Sequence, residues 1–136
     1  MFLVDTNVIS EARKGRNADP GVIHFFHNPP GEFYLASQVI GELRQGVERL
    51  RVRGDEPQAK LLETWLRAVV ADYRNRILDF DVECAQLWGV LMGRQPQHPI
   101  DKQIAAVALL HDLVVVTRNV DDFAGTGVET LNPFKN

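Results

Sequence analysis

The chain has 136 residues, 45% of them hydrophobic, which suits one packed core and argues against disorder. Its formal net charge of -3 argues against binding of nucleic acid by bulk charge alone. Cys84 is the one cysteine of the sequence, so an internal disulfide is excluded and a reducing compartment is expected. Signal-peptide and membrane-helix patterns are missing, so we expect a cytoplasmic protein with one domain over residues 1–136.

Short apolar runs alternate with helical patterns in the first half of the chain. The run FLV at 2–4 predicts a strand buried on both faces, followed by a short helix. Asp19-Pro20 predicts the start of a second short helix, with proline at its first position. The run EFYLA at 32–36 predicts a second strand, and Ser37 is expected to be the N-cap of the long helix after it.

The second half continues the alternation. Pro57 predicts the beginning of another helix, and RILDF at 76–80 predicts the third strand. A helix is predicted over 82–93, and the nearly apolar segment KQIAAVALLHD predicts a central helix. The runs LVVV at 113–116 and VETL at 128–131 predict strands four and five. This order predicts a three-layer α/β/α sandwich with a central, mostly parallel sheet of four to five strands.

Polar side chains stand where the predicted strands end, and ligands bind at that edge of open parallel sheets. Asp5 ends the first strand, and Thr117 and Asn119 follow the fourth. Asp101 precedes the central helix, and Glu42 lies about one turn inside the helix after strand two. The sequence therefore predicts that these side chains share one edge of the sheet.

Each of the three acids also has a purely structural explanation. Asp5 could serve only in a turn or a helix cap, and Asp101 could be a plain N-cap. Glu42 could form a surface ion pair with Arg13 or Arg49. The combination is more informative than its parts, because three converging carboxylates repel one another and resist ionisation. A divalent cation resolves that conflict, and hard oxygen ligands suit Mg²⁺ or Mn²⁺. Such a site activates water for attack on a phosphodiester.

Four segments carry a resemblance to a known family. They are FLVDTNVISE at 2–11, SQVIGELRQGV at 37–47, DKQIAAVALLHDLVVVTRN at 101–119 and LNPF at 131–134. With these segments in this order, the chain resembles the PIN-domain ribonucleases of the VapC toxin group and its FitB-like subgroup. The resemblance implies a PIN-like fold and the toxin component of a type II toxin-antitoxin system. It further implies a metal-dependent endoribonuclease that hydrolyses RNA phosphodiester bonds with Mg²⁺ or Mn²⁺. The partners implied are a second copy of the chain and a VapB-type antitoxin, with DNA contacted only through the antitoxin.

Carried over position by position, the resemblance makes Asp5, Glu42 and Asp101 the catalytic, metal-binding acids. The fourth acid of the family usually lies two residues after the strand-ending threonine, where this chain has Asn119. An amide oxygen can ligate a cation but brings no charge. This departure leaves open a catalytically weak PIN domain that acts as an RNA- or antitoxin-binding module in a DNA-bound regulatory complex. It also raises the question whether Asp121 or Asp122 replaces the missing acid.

Further residues are expected around the acids. Those that would support the metal ligands are Thr6, Thr117, Asn119 and Asp122. Those that would contact RNA phosphate are Arg13, Lys102 and Arg118. His98, just ahead of the third acid, is a conceivable substrate contact. We expect an antitoxin helix to pack near Trp65, although an apolar stripe of that kind is more often part of a core.

Other protein classes that carry an aspartate at the end of the first strand are less compatible with the sequence. A signalling receiver domain needs an acid pair at its first strand and a lysine after a later strand, and neither is present. A haloacid-type phosphatase needs a second aspartate where Asn7 stands. A dinucleotide-binding domain would show a glycine-rich turn after its first strand, and the residues that follow FLV contain no such turn.

Overall fold

A five-stranded parallel sheet forms the centre of the molecule, in a computed structural model that describes residues 1–135. Its strands are β1 Phe2–Val4, β2 Phe33–Ala36, β3 Ile77–Leu78, β4 Val114–Val116 and β5 Thr130–Leu131, in the spatial order β3-β2-β1-β4-β5. All four pairings between neighbouring strands are parallel. This confirms the predicted parallel sheet and fixes the number of described strands at five.

Within residues 1–135, six α-helices connect the strands. They are α1 Thr6–Ala12, α2 Pro20–His27, α3 Ser37–Val52, α4 Glu56–Asp72, α5 Val82–Arg94 and α6 Pro99–His111. The chain moves outward from β1 through β2 to β3 and then crosses back to β4. Because such crossovers are right-handed, α1 to α4 cover one face of the sheet and α5 and α6 cover the other. The predicted three-layer α/β/α architecture is thereby confirmed.

The direction of the connections changes between β1 and β4, which lie side by side in the middle of the sheet. The crevice at the carboxyl ends of two such strands is where open α/β sheets bind ligands. Asp5 follows β1 directly, and Thr117 follows β4. The topology alone therefore directs attention to these two residues.

Several helix ends agree with the sequence, and two do not. Helix α2 begins at Asp19-Pro20 as predicted, and Asp19 and Asp81 cap α2 and α5, each accepting a hydrogen bond from a backbone N–H of the first turn. The prediction for Ser37 is wrong: α3 begins at Ser37 itself, and Ala36 at the end of β2 is its N-cap. The strand runs directly into the helix, so no residue is left over for a separate cap. Asp101 is likewise not an N-cap, because α6 begins at Pro99 and His98 occupies the cap position.

The core lies between the sheet and the flanking helices. Helix α6 contributes a continuous run of unexposed residues, Ile104, Ala105, Ala106, Val107 and Ala108. Small side chains dominate this run, so α6 can approach the sheet closely. The near-absence of polar residues that marks this helix in the sequence is therefore explained by burial. None of the helices in residues 1–135 combines the length and the hydropathy needed to cross a bilayer.

An ion cluster links α3 and α4, the two longest of the six helices. Glu63 of α4 accepts hydrogen bonds from Arg44 at 2.5 Å and from Arg51 at 2.8 Å, both on α3. These guanidinium groups lower the pKa of Glu63 from 4.5 to about 2. Arg51 also bonds to Glu48 and Glu56, as expected for a solvated and balanced helix face.

Candidate metal centre

Asp5 is a buried carboxylate, only 4% exposed, at the carboxyl end of β1. Its Oδ1 accepts a hydrogen bond from the backbone N–H of Thr6 at 2.8 Å, so it also caps α1. Its Oδ2 accepts bonds from the Thr117 hydroxyl at 2.9 Å and from the Asn7 amide at 3.3 Å. Burial raises the pKa of Asp5 above its ordinary value, and these hydrogen bonds only partly oppose the rise. The structure thus holds the Asp5 carboxyl group in a fixed orientation where ionisation is less favourable than in water.

Asn7 and Thr117 link the ends of β1 and β4. The Asn7 amide donates to Thr117 Oγ1 at 3.3 Å, and its oxygen accepts from the backbone N–H of Arg118 at 3.0 Å. Thr117 is fully buried and also accepts from the backbone N–H of Asn119 at 3.0 Å. The predicted supporting position of Thr117 therefore corresponds to a specific bond to Asp5. The contribution of Asn7 was not foreseen, although it is the third residue of the DTN motif.

Glu42 reaches the same edge of the sheet from α3. Its Oε1 accepts a hydrogen bond from the Thr6 hydroxyl at 2.6 Å. The alternative ion pair is not what the structure has: the guanidinium of Arg13 lies instead 5.9 Å from the centre of the Trp65 ring. Thr6 therefore contacts two metal-site candidates: its hydroxyl donates to Glu42, and its backbone N–H donates to Asp5.

Asp101 lies in the first turn of α6 and is the electrostatic centre of the cluster. Burial and then the nearby charges of Asp5, Asp122 and Glu42, in that order, together raise its pKa from 3.8 to about 6. The interaction of four carboxylates in one place is the conflict that the sequence predicted. Asp122, expected as a supporting residue, joins the three predicted acids and also raises the pKa of Asp5.

Asp122 lies nearer to the other acids than the sequence position of Asn119 suggests. It lies in the 3₁₀ turn Val120–Phe123 after β4, where Asp121 is exposed and Asp122 is partly buried. His98 stands between the two aspartates of this side, with Nδ1 3.9 Å from Asp101 Oδ2 and Nε2 3.7 Å from Asp122 Oδ1. The chain therefore places an acid next to Asp101 three residues after Asn119. In the sequence the only signal for His98 was its position ahead of Asp101.

The three candidate RNA-binding cations are placed differently from one another. Lys102 is 3% exposed, and its ammonium donates to the backbone carbonyl of Gln97. The prediction of a phosphate contact for Lys102 is therefore corrected: the helix turn points this side chain into the loop before α6, which it holds in place. Arg13 and Arg118 are exposed, and the Arg118 guanidinium lies 4.6 Å from the centre of the Phe134 ring. Their role in RNA binding stays a prediction.

A shallow groove of about 370 Å³ adjoins Glu42. It is lined by Gln38, Gly41, Gln45 and Ile100 as well as by the carboxylate-bearing residue itself. Ile100 is 42% exposed and immediately precedes Asp101. The acidic cluster thus opens onto a surface with both apolar and amide groups.

The donor set fits a hard divalent cation. The carboxylates of Asp5, Glu42, Asp101 and Asp122 converge from four different elements, and carboxylate oxygens are the ligands that Mg²⁺ and Mn²⁺ prefer. Burial and the neighbouring carboxylates raise the pKa of Asp101, and a cation bound there would favour its ionised form. His98, Asp101 and Asp122 each offer a ligand atom, and these atoms lie within 4.8 Å of one another.

Known proteins match nearly the whole chain. A plasmid stability protein, StbB, from Pseudomonas syringae is 30% identical over 99% of both chains. Toxin FitB from Neisseria gonorrhoeae is 30% identical over 98% of this chain and 99% of its own. A VapC ribonuclease from Sinorhizobium fredii is 28% identical over 99% of both chains.

Solved structures agree with these matches. The crystal structure of FitAcB from Neisseria gonorrhoeae superimposes with a TM-score of 0.84 at 28% identity, covering 98% of both chains. The structure of FitAB bound to a DNA fragment also gives 0.84, at 26% identity over 98% of this chain and 95% of that one. The PIN domain family matches residues 2–128. The resemblance inferred from the four sequence segments is confirmed, and the chain belongs to the PIN domain family.

Proposed function

We propose that the protein is a metal-dependent endoribonuclease and the toxin component of a type II toxin-antitoxin system. The observation that carries this proposal is the convergence of Asp5, Glu42 and Asp122 on Asp101, whose pKa they raise. Four carboxylates in mutual repulsion are costly for a fold and useful for holding a divalent cation. Similarity to a VapC ribonuclease and to toxin FitB supports the same function.

The residues have distinct roles in this proposal. Asp5, Asp101 and Asp122 would hold Mg²⁺ or Mn²⁺, and Glu42 would ligate it or orient the attacking water. When bound, the cation supplies charge stabilisation for the phosphodiester and lowers the pKa of water. Thr6 orients Glu42, and the buried hydroxyl of Thr117 orients Asp5. In this arrangement no side chain needs to form a covalent intermediate.

RNA would approach over the groove beside Glu42. A nucleobase next to the scissile phosphate would lie against Ile100, with the amide groups of Gln38 and Gln45 at its edge. Arg13 and Arg118 would contact phosphate, so the affinity for RNA should fall strongly as the salt concentration rises. Lys102 has no place in this contact, because its ammonium is buried.

The assembly would include a VapB-type antitoxin and a second copy of the chain. The similarity to FitAcB and to DNA-bound FitAB supports an antitoxin partner and contact with DNA through that partner. Co-expression with the short reading frame expected next to the gene should give a stable complex without RNA cleavage. Free protein that remains monomeric by light scattering would exclude the homodimer.

The experiment that tests the function is incubation of pure protein with RNA in Mg²⁺, in Mn²⁺ and in EDTA. We expect cleavage with either ion, none with EDTA, and none with Asp101→Ala. Attack by water on phosphorus with loss of the 3′ oxygen leaves 5′-phosphate and 3′-hydroxyl ends. Cleavage that persists in EDTA, or that gives 2′,3′-cyclic phosphate, would exclude the proposed chemistry. Binding of RNA without cleavage would select the alternative of a catalytically weak binding module.

A further inference from the structure

His98 stands between two acids of the cluster without bonding to either. Its two ring nitrogens face different carboxylates, at 3.9 Å from Asp101 and 3.7 Å from Asp122. Both distances exceed that of a direct hydrogen bond. Two ligands that share an ion at about 2.0–2.2 Å are themselves about 3–4 Å apart. A given ion takes only one of the two nitrogens, and one ligand atom from each of His98, Asp101 and Asp122 lies within 4.8 Å of the other two, close enough for these residues to hold one ion together.

The loop that carries His98 is held in place on both sides. The buried ammonium of Lys102 binds the carbonyl of Gln97, and the Trp88 indole N–H donates to the carbonyl of Pro99 at 3.0 Å. His98 itself has φ 53 and ψ 61, the left-handed conformation. Residues on either side are thus anchored to α5 and α6, which keeps the half-exposed imidazole beside the two acids.

We propose that His98 is a nitrogen ligand of the divalent cation held by Asp101 and Asp122, and that it favours transition ions such as Mn²⁺ over Mg²⁺. This inference rests on the proposed metal-dependent function. Mg²⁺ takes oxygen ligands and keeps much of its water, whereas imidazole strengthens binding of first-row transition ions. Carboxylate oxygens suit both Mg²⁺ and Mn²⁺, so the imidazole adds to the preference for Mn²⁺. His98 thus sets which ion the cluster holds.

The test is pulsed EPR of Mn²⁺ bound to the protein, which detects nitrogen directly attached to the ion. We expect ¹⁴N modulation in the wild type and its loss in His98→Asn. Asparagine suits the left-handed backbone of this position, so the loop is retained while the imidazole is removed. His111→Gln, at the far end of α6, is the matched control and should keep the modulation.

Calorimetric titration separates the two ions. His98→Asn should bind Mn²⁺ about 10- to 100-fold more weakly, with a much smaller change for Mg²⁺. Mn²⁺ that binds the wild type without ¹⁴N modulation would overturn the role of His98 and leave the proposed function standing. So would modulation that survives in His98→Asn. A wild-type protein that binds neither ion would overturn both proposals.

Discussion

Replacement of Asp101 by asparagine should stabilise the metal-free protein at neutral pH. Burial and the neighbouring acids raise the pKa of Asp101 from 3.8 to about 6. The folded state therefore holds the proton more tightly than the unfolded state. Stability from this group is complete below the unfolded pKa and is lost as the pH rises through about 4 to 6. Asparagine carries no charge and avoids the loss.

The size of the effect follows from the same two pKa values. At about 1.4 kcal/mol per pH unit, the rise from 3.8 to about 6 corresponds to a ceiling of about 3 kcal/mol. The Asp101 side chain is 27% exposed, so solvent screening reduces this to about 1–2 kcal/mol. A negative charge in the first turn of α6 is itself favourable by about 0.3–1 kcal/mol, and asparagine forfeits it. A net gain of about 1 kcal/mol is expected.

Urea unfolding in EDTA at about pH 7.5 and pH 4.5 measures this gain, which should be larger at the higher pH. Glu129→Gln is the control: it changes an exposed acid at the opposite end of the sheet, and should shift stability by less than about 0.5 kcal/mol. Added Mn²⁺ should stabilise the wild type and not Asp101→Asn. The reasoning fails if Asp101→Asn is less stable than the wild type at the higher pH. It also fails if the gain is the same at both pH values.

Four further substitutions test the support of the site and the fold. Thr117→Val removes the hydroxyl that donates to Asp5 at 2.9 Å. The free energy of unfolding should fall by about 1.5–3 kcal/mol and the metal affinity by about 10- to 100-fold. A metal affinity and an unfolding free energy that calorimetry finds unchanged would refute this. Asp122→Asn should lose RNA cleavage, while Asp121→Asn, in the same turn but exposed, should retain it. Equal cleavage rates of the two variants would refute the role of Asp122 as a fourth acid. Gly21→Ala places a Cβ 2.0 Å from a backbone oxygen of the C-terminal segment and should cost about 1–3 kcal/mol in chemical denaturation. Gly89→Ala, which meets nothing within 4 Å, should instead stabilise helix α5 by about 0.5–1 kcal/mol, and a loss there would contradict the packing argument.

The order of elements and the parallel sheet could be predicted because each strand is a short apolar run and each helix is amphipathic or apolar. The central position of α6 followed from its composition, and its residues are indeed unexposed. Strand lengths could not be predicted as well. The run at 76–80 gives only Ile77–Leu78 as strand, because pairing with β2 involves two residues and apolar character alone does not set register.

The site was predictable in part for the same kind of reason. Asp5 could be placed from its position after β1, because strand ends of a parallel sheet share one edge. Asp122 could be named as a supporting residue, but the choice between Asp121 and Asp122 could not be derived, since a 3₁₀ turn decides which of the two faces the cluster. The direction of the Lys102 side chain could not be predicted from the sequence either. It depends on where the preceding loop leaves the carbonyl of Gln97, and no local pattern encodes that contact.

The central claim is that the buried acid after β1 binds the ion that drives RNA cleavage. Asp5→Asn tests it most directly, because asparagine keeps the size of the side chain and an oxygen for the backbone N–H of Thr6. The measurement is the single-turnover rate of RNA cleavage at saturating Mn²⁺, with circular dichroism to show that the fold is intact. The rate should fall by at least about 100-fold, since loss of a group that only supports a metal ligand already costs about 10- to 100-fold. A folded Asp5→Asn protein that cuts RNA at the wild-type rate would contradict the claim.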